Sequence, residues 1–234
     1  MKRLARSTLG DVFLQVKYGF YAVYALITVI YIVILKQLPS KFLAIALPFI
    51  IFSDPSVLGF YFISGLVLLE KGESTLEYLI STPLRTKEYL YSKIISLTML
   101  SILSSLTIAV FLYGFKVNFL LLVTGIVLTS FFFILVGFIA VAKFPTINEY
   151  MLSSIIYVTV LCIPLIDYFG FYKSYIFYIF PTQASLLLIR GAFVGIDLWQ
   201  FCYGVIYLVL WIFITYKWAY RSFYKFIILK EGER

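Results

Sequence analysis

The chain has no histidine and only two cysteines, so several classes of site are excluded at the outset. Zinc sites are built mainly from cysteine and histidine, and a disulfide framework needs several paired cysteines. Cys162 and Cys202 both lie in apolar sequence, where cysteine packs as a small hydrophobic residue. The G-x-x-x-x-G-K-[ST] phosphate-binding loop is also absent. We therefore expect no metal, no bound cofactor and no catalytic residue in this chain.

Charge is scarce as well. Charged residues make up 13% of the 234 positions and hydrophobic residues 63%, with a mean hydropathy of +1.02. Soluble domains are only about half apolar. The net charge of +8 is spread through connections between apolar runs, which argues against a nucleic-acid-binding face. The composition predicts an all-α integral membrane protein, embedded in lipid as a single transmembrane domain over residues 1–234.

Six apolar runs are long enough to be transmembrane helices, each of which needs roughly 20 residues. The second run is too long to cross the bilayer as one straight helix, so we expect a break inside it. The predicted spans are Tyr18 to Leu35, Phe42 to Leu69, Ile94 to Tyr113, Phe119 to Ala142, Tyr150 to Ile166 and Phe201 to Tyr216.

Asp54 lies at the expected break and has two interpretations. Ser53 and Asp54 are good N-cap residues and Pro55 suits the first position of a helix, so Asp54 can begin a second half-helix. Alternatively, Asp54 lines a translocation path, because a carboxylate inside a membrane is costly and usually serves a pathway or a pair. We favour the cap, which explains the residue without a further assumption.

The distribution of basic residues predicts the orientation. Both termini, residues 70–93 and residues 143–149 fall on one side of a six-span chain and carry 14 of the 19 Lys and Arg residues. The positive-inside rule places that side in the cytoplasm of a cell membrane. Residues 1–17 read as an amphipathic helix at the membrane surface, and residues 217–234 as a basic cytoplasmic tail. Asp11 and Lys17 interrupt the N-terminal segment, which argues against a signal peptide.

Residues 70–93 are the longest charged interruption between two apolar runs, and they contain a short amphipathic helix. Ser74-Thr75-Leu76-Glu77 has the form of a capping box, and Pro83 ends the helix. Leu76, Leu79 and Ile80 share one face, while Glu73 and Glu77 bring negative charge to the N-terminal end. A helix this short is marginal in water. It therefore needs a membrane surface or a partner protein.

The same residues resemble the pattern E-R-x-x-G-T-L-E-x-L-x-x-T-P…E…K of type 2 ATP-binding-cassette exporter permeases. The matching positions are Glu70, Lys71, Thr75-Leu76-Glu77, Leu79, Thr82-Pro83, Glu88 and Lys93. With Phe52-Ser53-Asp54-Pro55 and Gly59, the sequence is most similar to the fluoroquinolone-export-permease-like branch. It departs from the broader family at Ser74, where glycine is usual.

This resemblance implies a function. In such exporters the short helix is a cytoplasmic coupling helix that seats in a separate ATPase subunit, which binds ATP and Mg. It implies a second permease subunit, expected to be an identical copy, and a hydrophobic or amphiphilic small-molecule cargo such as a drug. The residues implied in ATPase coupling are Glu70, Glu73, Ser74, Thr75, Leu76, Glu77, Leu79, Ile80 and Pro83.

Residues 167–199 are too aromatic for a solvated loop and are broken by Gly170, Pro181, Gly191 and Gly195. We predict re-entrant or interfacial helices on the outer side, one of them over residues 184–189. The segment also resembles the external re-entrant region before the last span of these exporters. Tyr172, Tyr175 and Arg190 are candidates for the translocation path. An aromatic interface belt and a snorkelling arginine are the alternative interpretation.

Two other functions fit parts of the sequence. A non-transporting resistance, immunity or assembly protein would keep the same fold. An intramembrane enzyme would need converging acid, base or nucleophile groups, and the absence of histidine and the few membrane carboxylates disfavour it. A neighbouring gene for an ATPase with a phosphate-binding loop would favour the exporter over both.

Overall fold

A computed structural model describes residues 2–73 and 85–225. Over these residues the chain is almost entirely helical and contains no β-strand, which confirms the predicted all-α class. The α-helices are α1 (Lys2–Lys17), α2 (Phe20–Lys36), α3 (Ser40–Ser53), α4 (Gly59–Gly72), α5 (Thr86–Tyr113), α6 (Phe119–Val141), α7 (Ile147–Cys162), α8 (Leu165–Tyr168), α9 (Pro181–Val194) and α10 (Leu198–Phe223).

Several of these helices are suited to crossing a membrane, so the chain is a multi-pass membrane protein. Four helical stretches in the described part of the chain are long and apolar enough: Ser40–Gly72, Thr86–Lys116, Phe119–Val141 and Leu198–Phe223. The pair α1 and α2, bent by 66°, makes a fifth if it is counted as one span. Helix α7 is apolar but shorter. The six-span arrangement therefore stays a prediction, with α2 and α7 as its first and fifth spans.

The bend between α1 and α2 follows from a glycine. Gly19 adopts a positive φ of 76°, a left-handed conformation that residues with a side chain rarely adopt. Helix α1 ends two residues earlier at Lys17, the boundary that the sequence predicts for the N-terminal segment. That α1 lies at a membrane surface stays a prediction.

The second span does not break into two half-helices at Asp54, so that prediction is wrong. Helix α3 continues through a π-helical turn over Asp54–Leu58 into α4, without a new N-terminus and without a side-chain cap at Ser53. Ser53 Oγ instead donates to the Ile50 carbonyl at 2.8 Å. Pro55 removes one backbone N–H and crowds the preceding turn, and a π-turn relieves both effects while keeping the helix continuous. Asp54 is therefore not an N-cap.

Helix α6 forms the centre of the bundle. It packs against α4, α5, α9 and α10, and its Phe132, Phe133 and Phe138 side chains are buried. Gly137 allows α6 to approach α4 closely: a Cβ there would lie 2.5 Å from Ile63 Cγ2 and 2.8 Å from the Phe60 carbonyl oxygen. Helix α1 lies along α5 on the other side of the bundle.

The segment before the last helix folds at the end of α5 that is remote from residues 70–93. Helix α9 includes the predicted helix over residues 184–189 and extends beyond it on both sides. The Asn118 N–H donates to the Ala192 carbonyl at 3.0 Å, and the Tyr113 hydroxyl donates to the Phe193 carbonyl at 3.4 Å. These bonds fix the C-terminal end of α9 to the connection between α5 and α6.

Candidate functional site

A buried ion-paired group joins three helices beside the predicted coupling region. Lys93 of α5 is fully buried, and its Nζ donates to Asp11 Oδ1 of α1 at 2.6 Å and to Glu70 Oε1 of α4. The hydroxyl of Tyr89, one turn before Lys93, donates to Glu70 Oε2 at 2.6 Å. We call Asp11, Glu70, Tyr89 and Lys93 the ionic cluster.

Further polar contacts attach α1 to α5 beside this cluster. Gln15 Nε2 donates to Ser96 Oγ at 2.7 Å, and Ser7 Oγ donates to Ser92 Oγ at 3.1 Å. Both contacts lie on the face of α1 that carries Asp11, because residues 7, 11 and 15 are four apart in a helix. The N-terminal helix is thus held to α5 over more than two turns.

The ionic cluster balances desolvation against pairing. Burying a charge is costly unless it is paired and hydrogen-bonded, and here one ammonium lies between two carboxylates while a phenol donates to one of them. Removing Lys93 would leave two buried carboxylates without a cation. The cluster therefore resists separation of α1, α4 and α5.

The cluster brackets the predicted coupling helix. Glu70 precedes residues 74–84 and Lys93 follows them, so their contact ties the two flanks of that segment together. Residues Ser74, Thr75, Leu76, Glu77, Leu79, Ile80 and Pro83 of the predicted coupling set lie outside the described residues. Glu70 is buried, so its side chain faces the interior of the permease bundle. Glu73 is exposed and accepts a hydrogen bond from the Tyr18 hydroxyl.

Asp54 lies in a second polar group, midway along the bundle. Its side chain is fully buried, and Ser105 Oγ of α5 donates to its Oδ2 at 3.3 Å. Asp54 Oδ1 has no hydrogen-bond partner among the described residues. At the residue before Ser105 and one turn earlier, hydroxyl pairs connect α2 to α5: Thr28 with Ser104 at 2.7 Å, and Tyr24 with Ser101 at 3.3 Å. The side chain of Asp54 thus faces neighbouring helices. An N-cap side chain would instead face the backbone of its own helix.

At the opposite end of α5 from the ionic cluster, the segment around α8 and α9 encloses a cavity of about 410 Å³. We call it the aromatic cavity and define it by Asp167, Tyr168, Tyr175, Tyr178, Gln183 and Arg190, which lie on its wall. Of the three predicted path residues in this segment, Tyr175 and Arg190 line the cavity. Tyr172 does not, and its ring lies 6.4 Å from that of Phe177.

Tyr168 fixes this cavity to the rest of the bundle. Its hydroxyl donates to the Ile45 carbonyl of α3 at 2.7 Å. Burial raises the pKa of Tyr168 to about 12, while the charge of nearby Arg190 acts in the opposite direction. The phenol consequently stays protonated at physiological pH and keeps its donor role.

Comparison with known proteins agrees with the branch that the sequence resembles. The model of the fluoroquinolones export permease protein family matches residues 2–231. This chain belongs to that family.

Two similar permeases come from Mycobacterium tuberculosis, one from strain CDC 1551 / Oshkosh and one from strain ATCC 25618 / H37Rv, and both are named fluoroquinolones export permease protein. Each is 30% identical over 235 residues, covering 99% of this chain and 99% of the relative. The resemblance first seen in residues 52–93 therefore extends over the whole permease.

Sequence reasoning missed part of what the structure brings together in this permease. Lys93 was recognised only as a motif residue, and Asp11 only as an interruption of a basic segment. Their charges were a signal, since each lies among helix-forming apolar residues, but the pairing across 82 positions is visible only in the fold. Asp167 and Gln183 gave no such signal, because they come together through the turn between α8 and α9.

Proposed function

We propose that this permease is the membrane-spanning subunit of an ATP-binding-cassette exporter that moves an amphiphilic drug-like molecule out of the cytoplasm. The names of its relatives support a fluoroquinolone-type cargo. The motif in residues 70–93 supports a separate ATPase, which binds ATP and Mg and supplies the energy. No step of ATP chemistry is assigned to the permease itself.

The observation that carries this proposal is the contact between Glu70 and Lys93 across the predicted coupling helix. A segment that receives force from a partner is useful only if its two ends move together with the spans that they lead into. The ionic cluster joins those ends and adds α1 through Asp11. We assign Glu70 a transmitting role inside the permease, because its buried side chain offers no surface to a partner.

The mechanism is mechanical. When ATP binding closes the ATPase dimer, residues 74–84 move with it, and α4, α5 and α1 follow as one unit because the ionic cluster resists their separation. Helix α5 has 28 residues, which at about 1.5 Å each extend roughly 42 Å. Its far end contacts α9 through Tyr113 and Phe193, so movement at the ATPase side reaches the aromatic cavity.

Orientation and assembly complete the proposal. The excess of basic residues beside the coupling segment favours the cytoplasm of a plasma membrane for both termini. Two copies of the permease and two ATPase subunits would form the working exporter. Large exposed apolar side chains on α2 and α7 fit a position against lipid or the second copy; they include Leu26, Val29, Leu152 and Ile156.

Co-purification tests the proposal. We expect the tagged permease, extracted from its native membranes in mild detergent, to retain a protein that contains a phosphate-binding loop and hydrolyses ATP. Leu76→Ala with Leu79→Ala should abolish that association while leaving membrane insertion intact, because each buried aliphatic anchor contributes about 1.5 to 3 kcal/mol.

The matched control is Ile147→Ala with Met151→Ala, an exposed apolar pair on α7 with helical spacing. This pair should leave the ATPase bound. Full recovery of the ATPase with the Leu76 and Leu79 variant, together with normal stimulated hydrolysis, would contradict the coupling role. A permease that retains no ATPase at all would favour a non-transporting membrane protein.

A further inference from the structure

The aromatic cavity has an arrangement of polar groups that its own residues do not satisfy. Gln183 is 5% exposed and its amide nitrogen donates to Asp167 Oδ2 at 2.7 Å, but its buried Oε1 has no hydrogen-bond partner among the described residues. A buried carbonyl oxygen without a partner is costly, and a donor placed in the cavity would satisfy it. Gln183 and Asp167 thus form an acceptor site for an N–H or ammonium group.

The mouth of the same cavity carries positive charge. Arg190 is exposed, and its guanidinium carbon lies 5.8 Å from the centre of the Tyr168 ring, within range of a cation–π contact. Lys173 also lines the cavity and is exposed. In the part of the chain that the structure describes, neither side chain is ion-paired with a carboxylate. A planar guanidinium with free N–H groups suits a carboxylate, which it binds through two parallel hydrogen bonds.

Aromatic rings also line the cavity. Tyr175 and Tyr178 line the cavity with ring centres 6.4 Å apart, and Tyr175 is 92% exposed at the rim. Rings at this spacing favour offset contact with another flat aromatic system. The volume of about 410 Å³ falls within the range of small-molecule sites.

From this arrangement we infer that the aromatic cavity binds a planar aromatic zwitterion, with its carboxylate on Arg190 and its amine on Gln183 and Asp167. The role of this cavity in export rests on the proposed function: on the outer side of the membrane, it would hold an exported compound before release. Residues of one chain supply all the groups on which the inference rests.

Binding to the purified full-length permease, without any ATPase, tests this inference separately from transport. The probe is norfloxacin, a fluorescent aromatic acid with a basic amine, and the comparison compound is its methyl ester, which lacks the carboxylate. Titrations in phosphatidylcholine nanodiscs should give saturable binding of norfloxacin. Arg190→Gln should weaken it by about tenfold or more, the loss expected for one charge-assisted contact, and should change the ester by less than about twofold.

Two matched variants make the test specific. Lys116→Gln removes an exposed positive charge outside the cavity, and Tyr172→Leu removes an exposed ring beside it, so both should bind norfloxacin like the wild type. Gln183→Leu should weaken norfloxacin and the ester alike, because both compounds carry the amine. Size-exclusion profiles of each variant confirm that the protein is folded.

Other results would overturn the inference. One such result is the absence of saturable norfloxacin binding, and another is equal norfloxacin affinity of the Arg190→Gln and wild-type proteins. A third is that Tyr172→Leu weakens norfloxacin binding as much as Arg190→Gln does, which would mean general partitioning at the membrane interface. Displacement of norfloxacin in detergent by soluble phosphocholine, at a concentration below that of the norfloxacin present, would assign the cavity to a lipid headgroup. Norfloxacin binding without ATP-driven transport would support the cavity and contradict the proposed function, and the reverse result would do the opposite.

Discussion

The two ends of α5 differ in how they treat charge. At the ionic cluster, the ammonium of Lys93 is buried between two carboxylates, and α1, α4 and α5 close around it. At the aromatic cavity, Arg190 and Lys173 are exposed and form no ion pair within the described part of the chain, where the buried Oε1 of Gln183 also accepts no hydrogen bond. Paired charges inside a packed bundle make a rigid joint, whereas polar groups around an open volume are suited to binding. This difference is the basis on which we propose force transmission at one end and ligand contact at the other.

Packing follows the same division. Near the ionic cluster, the space at Gly137 is limited by the backbone of Phe60, which cannot move without shifting α4. Near the cavity, the space at Gly204 is limited by the side chain of Leu188, whose Cγ and Cδ2 lie 2.8 Å from an added Cβ. The obstructing atoms at Gly204 thus belong to a side chain, whereas those at Gly137 include backbone.

The largest expected effect is that of Lys93→Met. It leaves two buried carboxylates without their cation and should lower the free energy of unfolding by roughly 3 to 5 kcal/mol. The matched change Lys87→Met, at an exposed position of the same helix, should be nearly neutral. Unfolding in mixed micelles, followed by tryptophan fluorescence, compares the two.

A combined variant sharpens this result. Replacing the three charges together, by Asp11→Leu, Glu70→Met and Lys93→Met, should recover much of the lost stability, because apolar groups of similar volume often substitute for a buried ionic group without loss. Equal stability of the Lys93→Met and Lys87→Met proteins would mean that the ionic cluster is not a rigid joint.

A smaller effect is expected from the glycines. Gly137→Ala should destabilise the permease by about 1 to 3 kcal/mol, because its new Cβ meets backbone as well as side-chain atoms. Gly204→Ala should cost less, since Leu188 can rotate away. Gly10→Ala, where nothing lies within 4 Å of an added Cβ, serves as the control. Thermal denaturation of detergent-solubilised protein ranks the three, and a larger loss at Gly204 than at Gly137 would reverse the proposed difference between the ends.

The smallest effect concerns Asp54, between the two ends. Ser105→Ala should cost about 0.5 to 1.5 kcal/mol, the usual value of one hydrogen bond. Asp54→Asn keeps an acceptor of the same length, so it should be more stable than Asp54→Ser, whose hydroxyl is too short to reach Ser105. Equal stability of Asp54→Asn and Asp54→Ser in the same denaturation assay would restore the N-cap interpretation, because both residues cap helices well.

The sequence predicts the helical class and the place of most helices because apolar runs bounded by Gly, Pro and charge carry that information locally. The prediction of a new helix at Asp54 is wrong because a π-helical turn accommodates Pro55 within a continuous helix. Whether a helix ends at such a proline or continues through a π-turn depends on the helices packed around it. The resemblance places Glu70 in the ATPase-coupling set, but its side chain is buried, and its partner Lys93 becomes visible only when α4 and α5 lie side by side. In the outer segment, Arg190 and Tyr175 could be selected as candidate path residues from their residue types alone. The cavity that both residues line is formed by the turn between α8 and α9 and is not visible in the sequence.

If the ionic cluster transmits the work of the ATPase, breaking one of its ion pairs should lower the number of norfloxacin molecules moved into inside-out vesicles per ATP hydrolysed. Glu70→Gln keeps a hydrogen-bonding partner for Tyr89 and leaves Lys93 paired with Asp11, so the exporter should assemble and hydrolyse ATP. We expect this variant to transport several-fold less norfloxacin per ATP than the wild type, whereas the exposed control Glu149→Gln should match the wild type. An unchanged ratio for Glu70→Gln, in a complex with normal ATPase content, would contradict that role of the ionic cluster.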